Sequence, residues 1–286
     1  INPVNEAILA SCAAGTVTPE YTWLPIGDTT KPFAGTFDGQ GHTISGLYFD
    51  TTAQYTGLFG GIKTSGDTQA TVRNLKLKNS YFESTARELG SIVGRLRGKV
   101  YMVYSDAIMK SANTMYGGIA GITCGSDVVL ENCWYDGSIT TIENKNYAYG
   151  IGGIVGCATA EGTEYKLTMR NCLNTANFDV TKYAVEYLAA GGIIGRVWTN
   201  GGKIPNVEID SCLNTGTFSK SDVSTKAFSP IVGYTDSTSR TMIHRTYATE
   251  AIDNAYAVDS TGIYVVAPSA IQGEGAEATM PLLGWG

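Results

Sequence analysis

A short apolar run framed by glycines recurs along the chain. Its clearest copies are residues 117–121, 152–156 and 191–195, which all read Gly-Gly-Ile, one further apolar residue, and Gly. Looser copies bring the number to six, and their last glycines fall at positions 60, 94, 121, 156, 195 and 233. Repeats with a period of roughly 20–50 residues are typical of stacked supersecondary units. The chain is therefore predicted to be a stack of about six coils with loops of variable length.

A second segment follows the repeats and alternates apolar with polar residues. Residues 128–134, 167–173 and 207–213 show this alternation, and weaker forms occupy residues 75–81 and 241–247. A period of two indicates a strand with one buried face. No segment has a long apolar stripe with the helical period of 3.6, so helices should be few. The sequence thus predicts an all-β chain with at least two short strands in each coil.

Equivalent positions of successive coils should form columns, because stacked strands lie about 4.8 Å apart. Apolar columns are expected to build two walls of the core. The predicted core positions are Ile119, Ile154, Ile193 and Ile231 on one wall, and Leu130, Met169 and Ile209 on another.

A polar column is predicted at the bend that follows the alternating segment. Side chains there are expected to satisfy backbone groups left unpaired by the corner, since Asn and Ser readily bond to nearby backbone. Contact with a glycan is the alternative interpretation. The column is predicted to contain Asn79, Asn132 and Asn171, with Ser105 and Ser211 as replacements.

The two ends of the chain are less regular than its middle. Residues 1–33 are predicted to be an N-terminal cap or first coil, residues 34–250 the repeats, and residues 251–286 an irregular C-terminal tail or cap. A solenoid end exposes backbone and core and needs covering. The chain starts on Ile1 and stops in mid-motif, so we expect a processed or excised piece of a larger protein.

Composition narrows the classes of partner. The chain has 286 residues with 35 glycines and 17 tyrosines, and only 16% of its residues are charged. This is a turn-rich β composition rather than a disordered one. The net charge of −6 argues against nucleic acid and anionic membrane as partners. No apolar run is long enough to span a bilayer.

Six cysteines raise the question of disulfides or a metal site. Cys133, Cys172 and Cys212 occupy one repeat position, while Cys12, Cys124 and Cys157 have no repeat partner. No CxxC or HxxxH spacing occurs, so a zinc site is not expected. We predict a ladder of small buried thiols, because free cysteine is among the most buried residue types.

Few residues are candidates for catalysis. Four scattered carboxylates, Glu131, Asp136, Glu208 and Asp210, are the candidates for glycoside chemistry, which needs two carboxyls about 5–10 Å apart. His42 follows a tight Asp-Gly-x-Gly turn and is predicted to be structural. His244 falls in a column with Lys78, Glu131, Arg170 and Asp210, for which a ladder of exposed charge pairs is a sufficient explanation. No HExxH or phosphate-loop motif occurs. We therefore predict no catalytic, cofactor-binding or metal-binding residues.

Aromatic residues offer a binding surface. Trp134, Leu173, Leu213 and Tyr247 share one position. Exposed aromatics can stack on sugar rings, whereas buried ones add to the core. We favour a core or cap role for Trp134, because aromatics bury a large apolar area.

The motifs together resemble a known family. Residues 23–27, 33–44 and 57–60, followed by the Gly-Gly-Ile-Val-Gly and Asn-Cys copies, look like GLUG-motif domains over roughly residues 23–250. The resemblance implies a right-handed parallel β-helix in secreted or surface-attached, adhesin-like bacterial proteins. The repeat is poorly kept over residues 61–110 and after Tyr247.

On this basis we expect a non-enzymatic adhesin-like or stalk module, extracellular or at the cell surface of a bacterium. Its expected partners are a glycan or a surface protein of a host or neighbouring cell, with self-assembly as a further option; we expect no nucleic acid, no cofactor and no membrane-embedded part. The alternatives are a carbohydrate-active β-helix enzyme and a passive spacer or fibre subunit. The fold alone does not decide among them.

Overall fold

A computed structural model describes residues 6–66, 68–85, 87–112, 115–142, 150–182, 188–219, 227–236, 240–249 and 262–266. This part of the chain is almost entirely β. Its elements are α1 (Glu6–Ala13), β1 (Thr36–Asp38), β2 (Thr43–Ser45), β3 (Tyr48–Thr51), β4 (Phe59–Lys63), β5 (Thr71–Lys78), β6 (Tyr81–Ser84), β7 (Glu88–Gly90), β8 (Val93–Arg97), β9 (Lys99–Ser105), β10 (Ile108–Ser111), β11 (Met115–Gly117), β12 (Ala120–Cys124), β13 (Val128–Tyr135), β14 (Ser138–Thr141), β15 (Gly150–Gly152), β16 (Val155–Thr159), β17 (Lys166–Arg170), β18 (Leu173–Asn174), β19 (Asn177–Asp179), β20 (Ala189–Gly191), β21 (Ile194–Trp198), β22 (Asn206–Asp210), β23 (Leu213–Asn214), β24 (Phe218–Ser219), β25 (Ala227–Ser229), β26 (Val232–Thr235), β27 (Thr241–His244), β28 (Thr246–Ala248) and β29 (Ile263–Val265).

The strands stack into four parallel sheets, and the chain passes through sheets A, B, C and D in turn before it starts the next coil. Each strand pairs with the equivalent strand of the coils before and after it, as in β12 between β8 and β16. The predicted parallel β-helix is confirmed. Sheet A contains β4, β8, β12, β16, β21 and β26; sheet C contains β3, β6, β10, β14, β19 and β24; sheet D contains β7, β11, β15, β20 and β25; the other strands form sheet B.

The six strands of sheet A carry the six repeat copies, since the last glycine of each copy lies in one of them. The predicted number of coils is therefore confirmed. All seven predicted core side chains are fully buried and belong to one continuous apolar core. Residues 61–110, where the repeat is poorly kept in the sequence, also supply strands to all four sheets.

Glycine is required where sheet D turns into sheet A. A Cβ atom on Gly156 would lie 2.6 Å from the backbone nitrogen of Tyr116 and 2.6 Å from the carbonyl oxygen of Gly121. Gly121 is equally confined, at 2.8 Å from the backbone nitrogen of Leu89. Sheets D and A thus meet backbone against backbone, a separation that leaves no room for any side chain.

The N-terminal residues pack against the first coils of the stack. Helix α1 packs Leu9 and Cys12 against Tyr48 and Tyr81 on the outer face of sheet C. Residues 26–33 add a partial rung to sheet A through the bridges Ile26–Phe59 and Phe33–Ile62. Of the predicted tail, residues 262–266 are described and contain β29, a further rung of sheet B. Residues 1–5, 250–261 and 267–286 lie outside the described residues, so the predicted division of the chain at 33 and 250 stays a prediction.

A column of left-handed residues runs along sheet B and corrects the predicted polar column. Asn132, Asn171 and Ser211 do share a position, with φ angles of 53°, 51° and 56°. The register places Asn74 and Met102 there, with φ angles of 51° and 54°, instead of the predicted Asn79 and Ser105. The Asn132 side-chain oxygen is buried and accepts no hydrogen bond from any described residue. This position thus selects residues that tolerate a positive φ angle, rather than side chains that bond to the backbone.

Candidate functional site

The outer face of sheet B brings most of the candidate residues together. Asn132, the left-handed residue of β13, adds one position to the alternation of inward and outward side chains. Cys133 and Tyr135 therefore point into the core, and Trp134 lies on the outer face. The core role predicted for Trp134 is therefore wrong. Trp134 belongs to a column on the outer side of sheet B that we call the Trp134 ladder. The ladder consists of Tyr104, Trp134, Leu173, Leu213, Tyr247 and Tyr264, of which Leu213 is buried.

The aromatic members of the ladder lie in two pairs. The rings of Tyr104 and Trp134 are 5.0 Å apart and almost perpendicular, and those of Tyr247 and Tyr264 are 5.4 Å apart. Trp134 and Tyr104 are half-buried, and Tyr264 is 49% exposed. Edge-to-face aromatic pairs stabilise each other by about 0.5–1.5 kcal/mol beyond the area they bury. The rings are therefore held in fixed positions while part of their surface stays open to solvent.

Hydrogen bonds fix the orientation of the first pair. The Trp134 Nε1–H group donates to the Thr175 hydroxyl at 2.9 Å, and the Thr175 hydroxyl in turn donates to Asp136. The Tyr104 hydroxyl donates to the other oxygen of Asp136 at 3.1 Å, and the Lys78 ammonium group lies 5.1 Å from the centre of the Tyr104 ring. Carboxylate, hydroxyl, ammonium and aromatic groups are thus brought together from four successive coils, through β5, β9, β13 and β18.

Asp106 is a neighbour of this group that the sequence analysis missed. The register of Ser105 with Tyr135 places Asp106 beside Asp136, one rung or about 4.8 Å away along the stack. Asp106 accepts a hydrogen bond from the Asn79 amide at 2.8 Å. Burial raises the pKa of Asp106, and the negative charge of Asp136 adds to this shift. The spacing of an aromatic residue, any residue and Asp, at positions 104–106 and again at 134–136, is a sequence signal that could have revealed the pair.

The other candidate carboxylates lie on the same face but not in this group. Glu208 binds the Lys166 ammonium at 2.6 Å and the Arg170 guanidinium at 3.2 Å, and Asp210 binds Arg245. The hydrogen bond from Lys166 lowers the pKa of Glu208, and that from Arg245 lowers the pKa of Asp210. A general acid for glycoside hydrolysis needs the opposite shift. Both carboxylates are therefore suited to ion pairs rather than to proton donation.

The predicted charge column is confirmed only in part. Glu131, Arg170, Asp210 and His244 do stand in register on successive rungs. Lys78 does not belong to this column, because the register places Tyr101 and Arg73 in line with Glu131. Arg170 forms its ion pair with Glu208 rather than with the predicted Asp210.

The two histidines lie far from each other along the stack. His244 is exposed at the end of β27, and His42 is exposed beside the turn at Gly39, to whose carbonyl oxygen its amide donates at 2.8 Å. The structural role predicted for His42 fits this turn. In the described part of the chain, no group of three or more His, Cys, Asp or Glu side chains could hold a metal ion.

The cysteine ladder lies on the inner face of sheet B. Cys133, Cys172 and Cys212 are in register and fully buried, and the Cys172 amide donates to the Cys212 sulfur at 3.4 Å. All six cysteines are free and buried, as predicted for the three repeat positions. Burial raises the pKa of the Cys133 and Cys212 thiols. The column therefore packs as a row of small buried side chains.

Comparisons with known proteins give two partial similarities. A stretch of 85 residues is 38% identical to a protein of Evansella cellulosilytica described as a Gly-rich membrane protein, and it covers 29% of this chain and 9% of that relative. A stretch of 106 residues is 31% identical to halomucin of Haloquadratum walsbyi, and it covers 37% of this chain and 1% of halomucin. The chain thus matches only a small part of either relative.

Neither a family model nor a solved structure matches the chain. The resemblance to GLUG-motif domains therefore stays a prediction from the motifs. In the part of the chain that the structure describes, no helix has both the length and the apolar character to cross a lipid bilayer.

Proposed function

We propose that the chain is an extracellular, adhesin-like module that binds glycans through the outer face of sheet B, without cleaving them. The observation that carries this proposal is the Trp134 ladder with its attached polar groups. Aromatic rings offer flat apolar surfaces to sugar rings, while Asp136, Asp106 and Lys78 offer acceptors and a donor to sugar hydroxyl groups. A rigid stack of parallel strands repeats this face along its length, which suits an extended polymer.

Preorganisation favours binding by this face. The Trp134 ring is fixed by Tyr104 and Thr175, so little side-chain freedom is lost when a ligand covers it. The ion pairs of Glu208 and Asp210 hold those carboxylates ionised beside their cations. These features support recognition of a polar surface more than proton transfer to one.

A surface location is supported by two lines. One partial relative is described as a Gly-rich membrane protein, and the motifs resemble those of secreted and surface-attached adhesin-like proteins. In a longer parent protein, an elongated β-helix would hold its binding face away from the membrane. The role as a bacterial surface module remains part of this proposal.

One observation favours a second candidate function, cleavage of a glycan. Retaining glycosidases use two carboxyls about 5–5.5 Å apart, one with a raised pKa, and Asp106 and Asp136 lie on adjacent rungs with the pKa of Asp106 raised by burial. However, each Asp136 oxygen accepts a hydrogen bond, one from Tyr104 and the other from Thr175, and these bonds stabilise the carboxylate and make it a weaker nucleophile. We therefore rank cleavage second.

Incubation with a panel of polysaccharides and matrix proteins tests both candidates. The chain is expected to retain at least one polysaccharide and to leave its polymer length unchanged. Shortening of a polymer that is abolished by Asp106→Asn would contradict the binding proposal in favour of cleavage. A panel in which no member is retained and none is shortened would contradict both and favour a spacer or fibre subunit.

The control for this panel is an exposed aromatic residue outside sheet B. Tyr21 is 62% exposed and precedes the first strand. Retention should be lost in Trp134→Ala and kept in Tyr21→Ala, with both variants shown to be folded by circular dichroism. Equal loss in the two variants would indicate non-specific adsorption to aromatic surface.

A further inference from the structure

A second candidate binding feature lies on the outer face of sheet A, near the first coils. A small pocket of about 70 Å³ opens there. It is separate from the Trp134 ladder because it lies on sheet A rather than on sheet B, although β8 leads directly into β9, which carries Tyr104. Its lining includes Asp28, Pro32, Gly61, Lys63, Arg95 and Arg97.

Gly61 forms the floor of the pocket. It stands in register with Arg95, so it occupies a column that carries a side chain in the next coil. A Cβ atom on Gly61 would lie 3.0 Å from the Asp28 carbonyl oxygen and 3.9 Å from Pro32. The loop over residues 28–32 is held in place because one Asp28 carboxylate oxygen accepts hydrogen bonds from the amides of Thr30 and Lys31, at 2.6 and 2.7 Å. The wall opposite the arginines is thus a fixed turn.

Three cations line one side of this pocket. Arg95 is clamped by Glu88 through Nε at 2.9 Å and Nη2 at 2.6 Å, and its guanidinium lies over the Tyr55 ring at 4.5 Å. Glu88 is almost fully buried, and burial raises its pKa while the hydrogen bonds from Arg95 oppose that shift. These contacts place the Arg95 guanidinium rigidly at the pocket wall.

Arg97 lies two residues after Arg95 on β8 and has N–H donors that no described residue uses. Its Nη2 atom binds Glu161 at 2.9 Å and its Nε–H group points to the Cys124 sulfur at 3.3 Å. The two N–H groups on Nη1 have no protein acceptor among the described residues. Lys63, which pairs in register with Arg97, is exposed and likewise forms no ion pair with any described side chain.

Unused hydrogen-bond donors, rather than net charge, favour an anion at this position. Glu88 and Glu161 offset the charges of Arg95 and Arg97, and Asp28 offsets that of Lys63, so the lining and its ion-pair partners carry no net charge. One Asp28 carboxylate oxygen is bonded within its own turn. The net charge of −6 for the whole chain acts weakly here, because charges beyond about 8 Å are screened at physiological ionic strength. An anion at the mouth of the pocket would therefore be held by the N–H groups of Lys63 and Arg97 that no described residue uses.

The size of the pocket limits what can enter. At about 70 Å³, the pocket has room for a small group such as a sulfate or a carboxylate.

We propose that this pocket binds the anionic substituent of an acidic glycan, either a sulfate ester or a uronate carboxylate, through Lys63 and Arg97. The inference rests on the proposed glycan-binding function and names the class of glycan. Guanidinium and ammonium groups are the usual partners of such oxyanions, and charge-assisted hydrogen bonds are about twice as strong as neutral ones. Acidic polymers should therefore bind more tightly than neutral polymers of the same length.

Binding of the whole chain to three polymers tests this inference. Dextran sulfate supplies sulfate esters, polygalacturonate supplies carboxylates, and dextran is the uncharged reference. Lys63→Gln should weaken binding of one or both acidic polymers by about fivefold or more, with dextran unaffected. Lys63 is exposed, so this variant should fold normally. The control is Lys182→Gln, which removes the same charge from an exposed position elsewhere and should change binding by less than about twofold.

The possible outcomes separate this inference from the proposed function. It is overturned if neither acidic polymer binds better than dextran, or if Lys63→Gln and Lys182→Gln weaken binding equally. Binding of the acidic polymers that depends on Trp134 but not on Lys63 would overturn the pocket and leave the proposed function standing. Binding of an acidic polymer that depends on Lys63 but not on Trp134 would support the pocket and contradict the role of the Trp134 ladder.

Discussion

At the scale of the single residue, glycine at the bend between sheets D and A decides whether the coils can close. Gly156→Ala would place a methyl group 2.6 Å from two backbone atoms, neither of which can move without breaking a rung. We expect the free energy of unfolding to fall by about 3 kcal/mol or more, the upper range for overpacking. Urea unfolding followed by circular dichroism measures this change.

Gly35→Ala is the matched control. A Cβ atom on Gly35 would meet only the Phe33 ring, at 3.4 Å, which is an ordinary contact. Its stability should stay within about 0.5 kcal/mol of the wild-type value. Equal losses in the two variants would show that the D–A bend is not as tight as described.

Met102 provides a test of the left-handed column. It has a φ angle of 54° and an exposed side chain, so its conformation costs energy and its packing contributes little. Met102→Asn is expected to stabilise the protein by about 0.5–1 kcal/mol, because Asn tolerates this conformation better. Thermal and urea unfolding should both show the gain.

Met242→Asn separates this effect from a general benefit of polarity. Met242 is also 47% exposed, but it lies in the regular strand β27 without a positive φ angle. No gain, or a small loss, is expected there because Asn is unfavourable in strands. A similar gain at both positions would contradict the strain attributed to Met102.

At the scale of the element, ion pairs across the rungs of sheet B make stability depend on pH. Arg245 lowers the pKa of Asp210 in the folded protein, and Lys166 lowers that of Glu208. Such carboxyls bind protons more tightly in the unfolded chain. Their contribution is therefore present above the unfolded pKa of about 4 and is lost as the pH falls through the lower folded pKa.

Asp210→Asn should consequently reduce the loss of stability between pH 5 and the acid limit. The measurement is the urea midpoint at several values of pH for the wild type, Asp210→Asn and Glu20→Gln. Glu20 is exposed and forms no ion pair with the described residues, so Glu20→Gln should keep the wild-type dependence. An unchanged acid dependence in Asp210→Asn would contradict the role of the Arg245 pair.

The repeat motif made the coils predictable because the D–A bend restricts sequence choice so strongly. The middle glycine of the motif has a similar reason: a Cβ atom on Gly118 would lie 2.2 Å from the Tyr135 ring. In the coil where Ser91 replaces this glycine, the register places the smaller Ser105 in line with Tyr135. Steric restrictions on pairs of positions like these can be recognised in the sequence.

The register along sheet B was harder to predict. Residues 75–81 look like a copy of residues 128–134, yet Leu75 pairs in line with Cys133. Leu75 and Leu77 face the core in both the predicted and the observed register. The two registers differ by five residues, an odd number that would normally turn the side chains to the other face. The left-handed residue adds one position to the alternation, so the side chains point inward again. The same extra residue hid the outward direction of Trp134.

At the scale of the whole molecule, the two candidate surfaces differ in how far they could be predicted. Four of the six members of the Trp134 ladder were visible in the sequence as one repeat position, but Tyr104, Tyr264 and the outward direction of the column were not. The pocket at Lys63 depends on a turn at residues 28–32 that meets two later strands, and no repeat records that contact. The repeat pattern of the sequence therefore predicts the stacked coils well, but it does not predict contacts made by segments outside the repeats.

The central claim is that the outer face of sheet B binds a glycan through the Trp134 ladder. The most direct measurement is the dissociation constant for the best-retained polysaccharide, for the wild type, Trp134→Ala, Trp134→Phe and Tyr21→Ala, together with polymer length after incubation. We expect binding to weaken about tenfold in Trp134→Ala, which corresponds to about 1.4 kcal/mol, with little change in Trp134→Phe and Tyr21→Ala and no shortening of the polymer. Unchanged affinity in a folded Trp134→Ala variant, or a shortened polymer, would contradict the claim.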